Sequence, residues 1–300
     1  MTNEEPDFLY SGILDRRGGS EKLDLSSVAQ WTQDQGILWV HLDVNEDASR
    51  RWLSEVSGLE PSIVDALLAE ETRPRSHASD DGLLVVLRGV NTNPGGDPED
   101  MVSIRLWIER DRIISTRRRR LLSVTDIRDS LELGEGPKTA GGFLAALTGK
   151  LADRIGDFVD SIEGDVGDAE DRIATQDQTE FRQSIATLRR QIASVRRFLA
   201  PQRDALDRLY RQPGKWLTDS EAQELREEAD RITRYLEDLE LARERTMVLR
   251  EEFLRQMAQE QNSRMYFLSV VAAVFLPLTF VKGLLGMNVV GLPGLDSPNG

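Results

Sequence analysis

Cysteine is missing from all 300 residues, which excludes disulfides, thiolate zinc sites and thiol nucleophiles together and suits a reducing compartment. Histidine is nearly missing: His41 and His77 are the two present, and a lone histidine in a strand-like run is read as structural rather than as a ligand. Positive charge is in deficit, with 38 Lys and Arg against 52 Asp and Glu, a net charge of -14. That balance repels nucleic acid and attracts cations. There is no phosphate-cradling glycine loop, no dinucleotide fingerprint and no Ser/His/Asp set, so enzyme chemistry has no foothold and no cofactor is expected. The N-terminus, MTNEEPDFLY, lacks a basic stretch followed by an apolar run. No cleavable signal peptide is expected, and the bulk of the chain is placed in the cytoplasm.

What is present is enough apolar residue, 39%, to bury a substantial core. The chain as a whole reads as α+β, with residues 1–136 as an N-terminal α/β domain. Short β-branched runs at 37–43, 83–91, 101–109 and 112–116 predict strands, and 48–56 and 61–70 carry apolar residues at helical spacing. The stretch 91–97, NTNPGGD, supplies turn residues between two of those strands. Arg117 to Arg120 form a basic run that, in so acidic a chain, reads as a solvated turn or a surface for an acidic partner.

After the GEGP turn at 134–137 the period becomes helical, and residues 137–264 read as a helical domain. Leu144, Leu147, Leu151, Ile155, Ile162 and Val166 mark one face of a first helix. Phe181, Ile185, Leu188, Ile192, Val195 and Leu199 keep a 4,3 spacing along a second, with a polar slot at Gln202 beside Pro201 and a break at Pro213 and Gly214. The short link between them predicts an antiparallel hairpin. A third helix opens with the capping-box pattern Thr218-x-x-Glu221. Neither Gly nor Pro interrupts residues 216–276, which as a helix would extend roughly 90 Å.

That stalk runs directly into residues 265–285, MYFLSVVAAVFLPLTFVKGLL, which are apolar apart from Ser269, Thr279 and Lys282. By length this is one transmembrane span. Arg245, Arg250, Arg255 and Arg264 precede it, so the positive-inside rule puts the N-terminal body in the cytoplasm, and Lys282 sits near enough to the far interface to snorkel.

Immediately after the span come Gly286, Met287 and Asn288, preceded by Pro277-Leu278-Thr279-Phe280. A GMN tripeptide behind PLTF, at the outer end of a span that ends an unbroken stalk, resembles the CorA superfamily of divalent-cation channels and transporters. The close likeness covers about 262–288, and the order of elements agrees along the whole chain. The resemblance implies a funnel-shaped homopentamer in the cell inner (plasma) membrane, with the first transmembrane helix lining the pore and an asparagine ring facing the incoming ion. Carried over, Gly286, Met287 and Asn288 form the selectivity filter, with Asn288 meeting the metal through its hydration shell. Met265, Leu268 and Leu276 become apolar gating rings, Thr279 a hydroxyl ring, and Asn262 a polar ring at the inner mouth.

Physical chemistry favours the same assignment. An amide carbonyl is a hard, neutral acceptor, and a ring of them holds a hydrated divalent cation without trapping it. Mg2+ gives up water reluctantly and suits such a filter. After the motif, residues 286–300 begin an extracytoplasmic loop whose Gly-x-Pro-Gly at 291–294 resembles the ZntB branch, which points to Zn2+, with Mg2+, Co2+ and Ni2+ as alternatives. The family carries a second transmembrane helix beyond this loop, making the full-length form multi-pass, so a continuation of the chain is expected. The competing reading is a membrane-anchored coiled-coil scaffold or sensor in which GMN is incidental.

Overall fold

The computed structural model describes residues 9–173 and 177–285. The chain divides into two compact units, 1–246 and 247–300, and each is described by itself.

The first unit is organised around one seven-stranded sheet. Its strands are β1 (Leu9–Leu14), β2 (Ser20–Lys22), β3 (Ile37–Asp43), β4 (Arg75–Ala78), β5 (Leu83–Gly89), β6 (Val102–Ile108) and β7 (Arg112–Arg117), in the order β2-β1-β3-β7-β6-β5-β4. Neighbours are antiparallel except β3 and β7, which run parallel with Leu38 opposite Arg112 and Asp43 opposite Arg117. The strands expected from β-branched runs are β3, β5, β6 and β7. Those at the edge, β2 and β4, and the glycine-containing β1 were not expected.

β3, β5 and β6 are buried on both faces almost from end to end, which explains their continuous apolar runs in place of alternation. On one face lie α1 (Leu25–Val28), α2 (Asp47–Arg51), a π-helical turn over Trp52–Val56 that continues α2, and α3 (Pro61–Leu68). Leu38, Val40 and Leu42 of β3 join Leu53, Val64, Leu67, Trp107 and Ile114 there in one core. On the other face are α4 (Leu122–Glu132) and α5 (Ala140–Arg172). Trp39 meets Phe143 of α5 edge-on at 4.8 Å. Gly89 ends β5 where a Cβ would stand 2.6 Å from the Leu151 Cδ2 and 2.9 Å from the Leu121 Cδ1, so a side chain there would displace those two leucine side chains.

α5 pairs with α6 (Gln178–Arg211), and α7 (Asp219–Leu285) follows. α6 continues through Pro201. The polar slot at Gln202 has a concrete use: fully buried, its Oε1 accepts from the backbone N–H of Arg88 at 2.7 Å, satisfying a donor at the end of β5. Ser76 of the edge strand β4 donates to the Ala205 carbonyl at 2.8 Å, so α6 also covers that edge.

The capping box forms as expected. Thr218 N–H donates to Glu221 at 2.7 Å and Glu221 N–H to the Thr218 hydroxyl at 3.3 Å. The same carboxylate accepts from the hydroxyl of Thr139, the N-cap of α5. From this shared point α5 and α7 run in the same direction. Gly141 faces Glu221, Gly149 faces Glu228, Arg231 donates to Asp153 at 2.7 Å, and a Cβ on Gly156 would stand 2.6 Å from Tyr235 Oη. The α5 glycines let the two backbones close in. Further along, Arg245 makes a two-pronged pair with Glu170 at 2.8 and 2.6 Å.

In the basic run Arg120 is exposed, and the other three arginines are engaged within the domain. Arg117 lies 3.8 Å from Asp43, Arg118 donates to the Leu68 carbonyl at 3.0 Å and Arg119 pairs with Asp100 at 2.6 Å. The sheet brings those partners in from distant sequence, so the run serves its own domain.

Candidate functional site: the apolar end of α7

The last turns of α7 carry every span residue singled out from sequence that falls within the described residues. Asn262, Met265, Leu268, Leu276 and Thr279 are all exposed on the single chain, with Met265 at 66% and Leu276 at 68%. At 3.6 residues per turn they fall within about 120° of one side of the helix. One stripe therefore holds a polar amide at one end, three apolar side chains in the middle and a hydroxyl nearer the other end. Gly286, Met287 and Asn288 lie outside the described residues.

From Met265 to Leu285 the side chains have almost no cover among the described residues. Val271 is half-buried and the rest are exposed. A water-facing stretch of that composition would be an aggregation liability, whereas a helix satisfies its own backbone and is at home in lipid. Ser269 supports this, because its hydroxyl turns back to the Met265 carbonyl at 2.8 Å and presents no unused donor. Pro277 removes one N–H from the ladder and frees the Ala273 carbonyl, next to Leu276. Glu260 lies 3.5 Å from Arg264, one turn before the span.

Neither histidine contributes here. His41 is buried in β3 with Nδ1 2.8 Å from the Ser115 hydroxyl, which also accepts from Trp39 Nε1 at 2.9 Å. Burial, followed by the charges of Arg117 and Arg128, pushes its pKa down to about 3, so it is neutral at physiological pH. His77 is exposed on β4. Among the described residues, no group of three or more His, Asp or Glu side chains is arranged to hold a metal ion.

Sequence reasoning found the span and its polar interruptions. It missed the buried arginines of the sheet, since nothing in a single run announces that Arg105 is fully enclosed.

Residues 34–300 match the family described as CorA-like Mg2+ transporter protein. The divalent cation transporter CmaX of Pseudomonas aeruginosa is 39% identical over 308 aligned positions, covering 100% of this chain and 91% of that protein. The structure of full-length CmaX superposes with a TM-score of 0.88, covering 100% of this chain and 93% of the other. The zinc transport protein ZntB of Pectobacterium carotovorum is 36% identical, covering 96% of this chain and 86% of that protein. The complete CorA magnesium transporter of Methanocaldococcus jannaschii shares the fold, with a TM-score of 0.83 at 16% identity over 98% of this chain and 92% of that one. By the span of the match and the identity to these relatives, the chain belongs to the CorA-like Mg2+ transporter family.

Proposed function

We propose that this chain is one protomer of a homopentameric divalent-cation transporter of the inner membrane, with Asn288 selecting the ion and the α7 stripe lining its path. The observation that carries the reading is the stripe Asn262–Met265–Leu268–Leu276–Thr279, exposed on an apolar helix among the described residues. The similarity to the divalent cation transporter CmaX supports a divalent cation as the substrate class. Membership of a family of transporters gives enzyme chemistry no support.

In this reading the ring of Asn288 carbonyls, with Gly286 allowing the backbone to turn at the helix end, meets the hydrated ion. Leu276, Leu268 and Met265 then form constrictions that close by excluding water. A membrane potential, negative inside, drives a divalent ion inward with about 4.6 kcal/mol per 100 mV, and the acidic body adds attraction. Zn2+ is the favoured cargo on the Gly-x-Pro-Gly loop and the similarity to the zinc transport protein ZntB. The imidazole and thiolate ligands Zn2+ prefers are not among the residues of the proposed path, so recognition acts through the water shell and Mg2+, Co2+ and Ni2+ remain competitors.

Flux into liposomes tests this. The full-length protein should move Zn2+, and Asn288→Ala should lower the rate at least about tenfold, the effect of removing one or two hydrogen bonds per protomer to the water shell. Equal flux in wild type and variant, or a dimer in detergent, favours the membrane-anchored scaffold instead.

A further inference from the structure

The charges of α6 run against the trend of the chain. From Phe181 to Arg203 this helix carries six arginines and no carboxylate, although the chain as a whole stands at -14. α5 is its opposite, with eight carboxylates and one arginine from Asp153 to Asp171. The two helices are neighbours in one hairpin, yet among the described residues no ion pair joins them: the pairs they make go to other elements or stay within each helix. Each charged face is turned to solvent instead.

On α6, Arg182, Arg189 and Arg197 share a strip about 80° wide with Ala186 and Ala193, and all five are exposed. Among the described residues, neither Arg182 nor Arg189 has an ion-pair partner. On α5, Asp157, Asp160 and Asp171 share a strip about 60° wide with Gly164, again all exposed. These three aspartates are unpaired among the described residues, and a Cβ on Gly164 would meet nothing within 4 Å. The hairpin sets the two strips at one height. α5 ends at Arg172 and α6 begins at Gln178, and at the sheet end Gly89 lies against Leu151 while the Arg88 N–H donates to Gln202. Residues of the two helices whose numbers sum to about 350 are therefore level. Arg182 comes level with the turn that ends in Asp171, Arg189 with Asp160, and Ala186 with Gly164.

We propose that the basic strip of α6 is the docking surface for the acidic strip of α5 on a second copy of this chain, an inference that rests on the pentameric reading above. Copies related by rotation about an axis along the helices keep every residue at its own height. The α6 arginines of one protomer then meet the α5 aspartates of the next where the charges oppose, and Ala186 against Gly164 lets the two backbones approach. The contact is heterologous, since each copy gives one face and receives the other, so it is completed in every copy only by a closed ring. Nucleic acid is a poor occupant for so acidic a chain, and an acidic peptide on α6 would leave the α5 strip without a partner.

The chain has no cysteine, so a pair of introduced thiols reports the contact without background. In the full-length protein in detergent, Ala186→Cys combined with Gly164→Cys should give, on mild oxidation, a ladder of linked chains on a denaturing gel, and neither single variant should. Adding Arg182→Glu and Arg189→Glu should slow the ladder at least about fivefold, the effect of reversing two exposed pairs. Further addition of Asp160→Arg and Asp171→Arg should restore it. Native mass spectrometry of the same samples separates this interface from the reading beneath it. A pentamer that forms no ladder overturns the interface and leaves the transporter reading standing, whereas a monomer overturns both. A ladder indifferent to the charge reversals, or one they weaken and the compensating pair does not restore, also overturns the proposal.

Discussion

Two apolar stretches of this chain meet opposite fates. β3, ILWVHLD, is buried from Ile37 to Leu42 because α3 and its neighbours cover one face and α5 the other. Residues 265–285 are at least as apolar, yet nearly all of them stand exposed. The difference lies in who satisfies the backbone. A strand needs partners on both sides, so its burial and its hydrogen bonding arrive together. A helix satisfies its own amides and can leave the protein for another solvent. Apolar composition therefore says that a stretch avoids water; geometry says whether protein or lipid receives it.

The contrast can be broken from either side. On the buried side, Trp39→Ala removes the ring that packs on Phe143 and donates to Ser115, and should cost about 3–5 kcal/mol in denaturant unfolding of the protein. A loss below about 1 kcal/mol would mean that the sheet does not depend on this face. On the exposed side, Val274→Arg should cost about 3 kcal/mol of insertion and shift much of the protein out of the membrane fraction after carbonate extraction. Unchanged partition would mean that 265–285 does not lie in lipid.

Smaller changes sharpen the comparison where α5 meets α7. Gly156→Ala places a methyl 2.6 Å from Tyr235 Oη and should destabilise by about 1–3 kcal/mol, with partial recovery in the double variant carrying Tyr235→Phe. No recovery would locate the clash elsewhere. Least of all, Glu170→Gln should cost under about 1 kcal/mol, as expected for a partly exposed pair. The hydrogen bond and charge of Arg245 hold the Glu170 carboxyl below its ordinary range. Its contribution is therefore present above the unfolded-state pKa and fades as pH falls through the lower folded value. A pH-stability curve for wild type minus variant should show that loss in the acid limb and stay flat near neutrality.

The long helices were legible because apolar spacing persists over many turns and Gly or Pro marks the ends, and Thr218-x-x-Glu221 fixed the start of α7 well. β3, β5, β6 and β7 were legible as β-branched runs. β4, Arg-Ser-His-Ala, was not, because an edge strand held by one hydroxyl and one neighbour needs little hydrophobicity. α4 carried a readable spacing at Val124, Ile127 and Leu131 that the adjoining basic run obscured. At the candidate site, position along the helix was legible and cover was not, since exposure depends on what the rest of the chain fails to supply. Arg105 is the clearest case of information absent from local sequence: its enclosure follows from the pairing of β6 with β5 and β7.

The carboxylate of Glu221 has a consequence beyond capping. Two helices that set out side by side in one direction point their positive poles at the same spot, an arrangement that repels itself. A single negative group placed there faces both poles at once, so one carboxylate serves the starts of two helices.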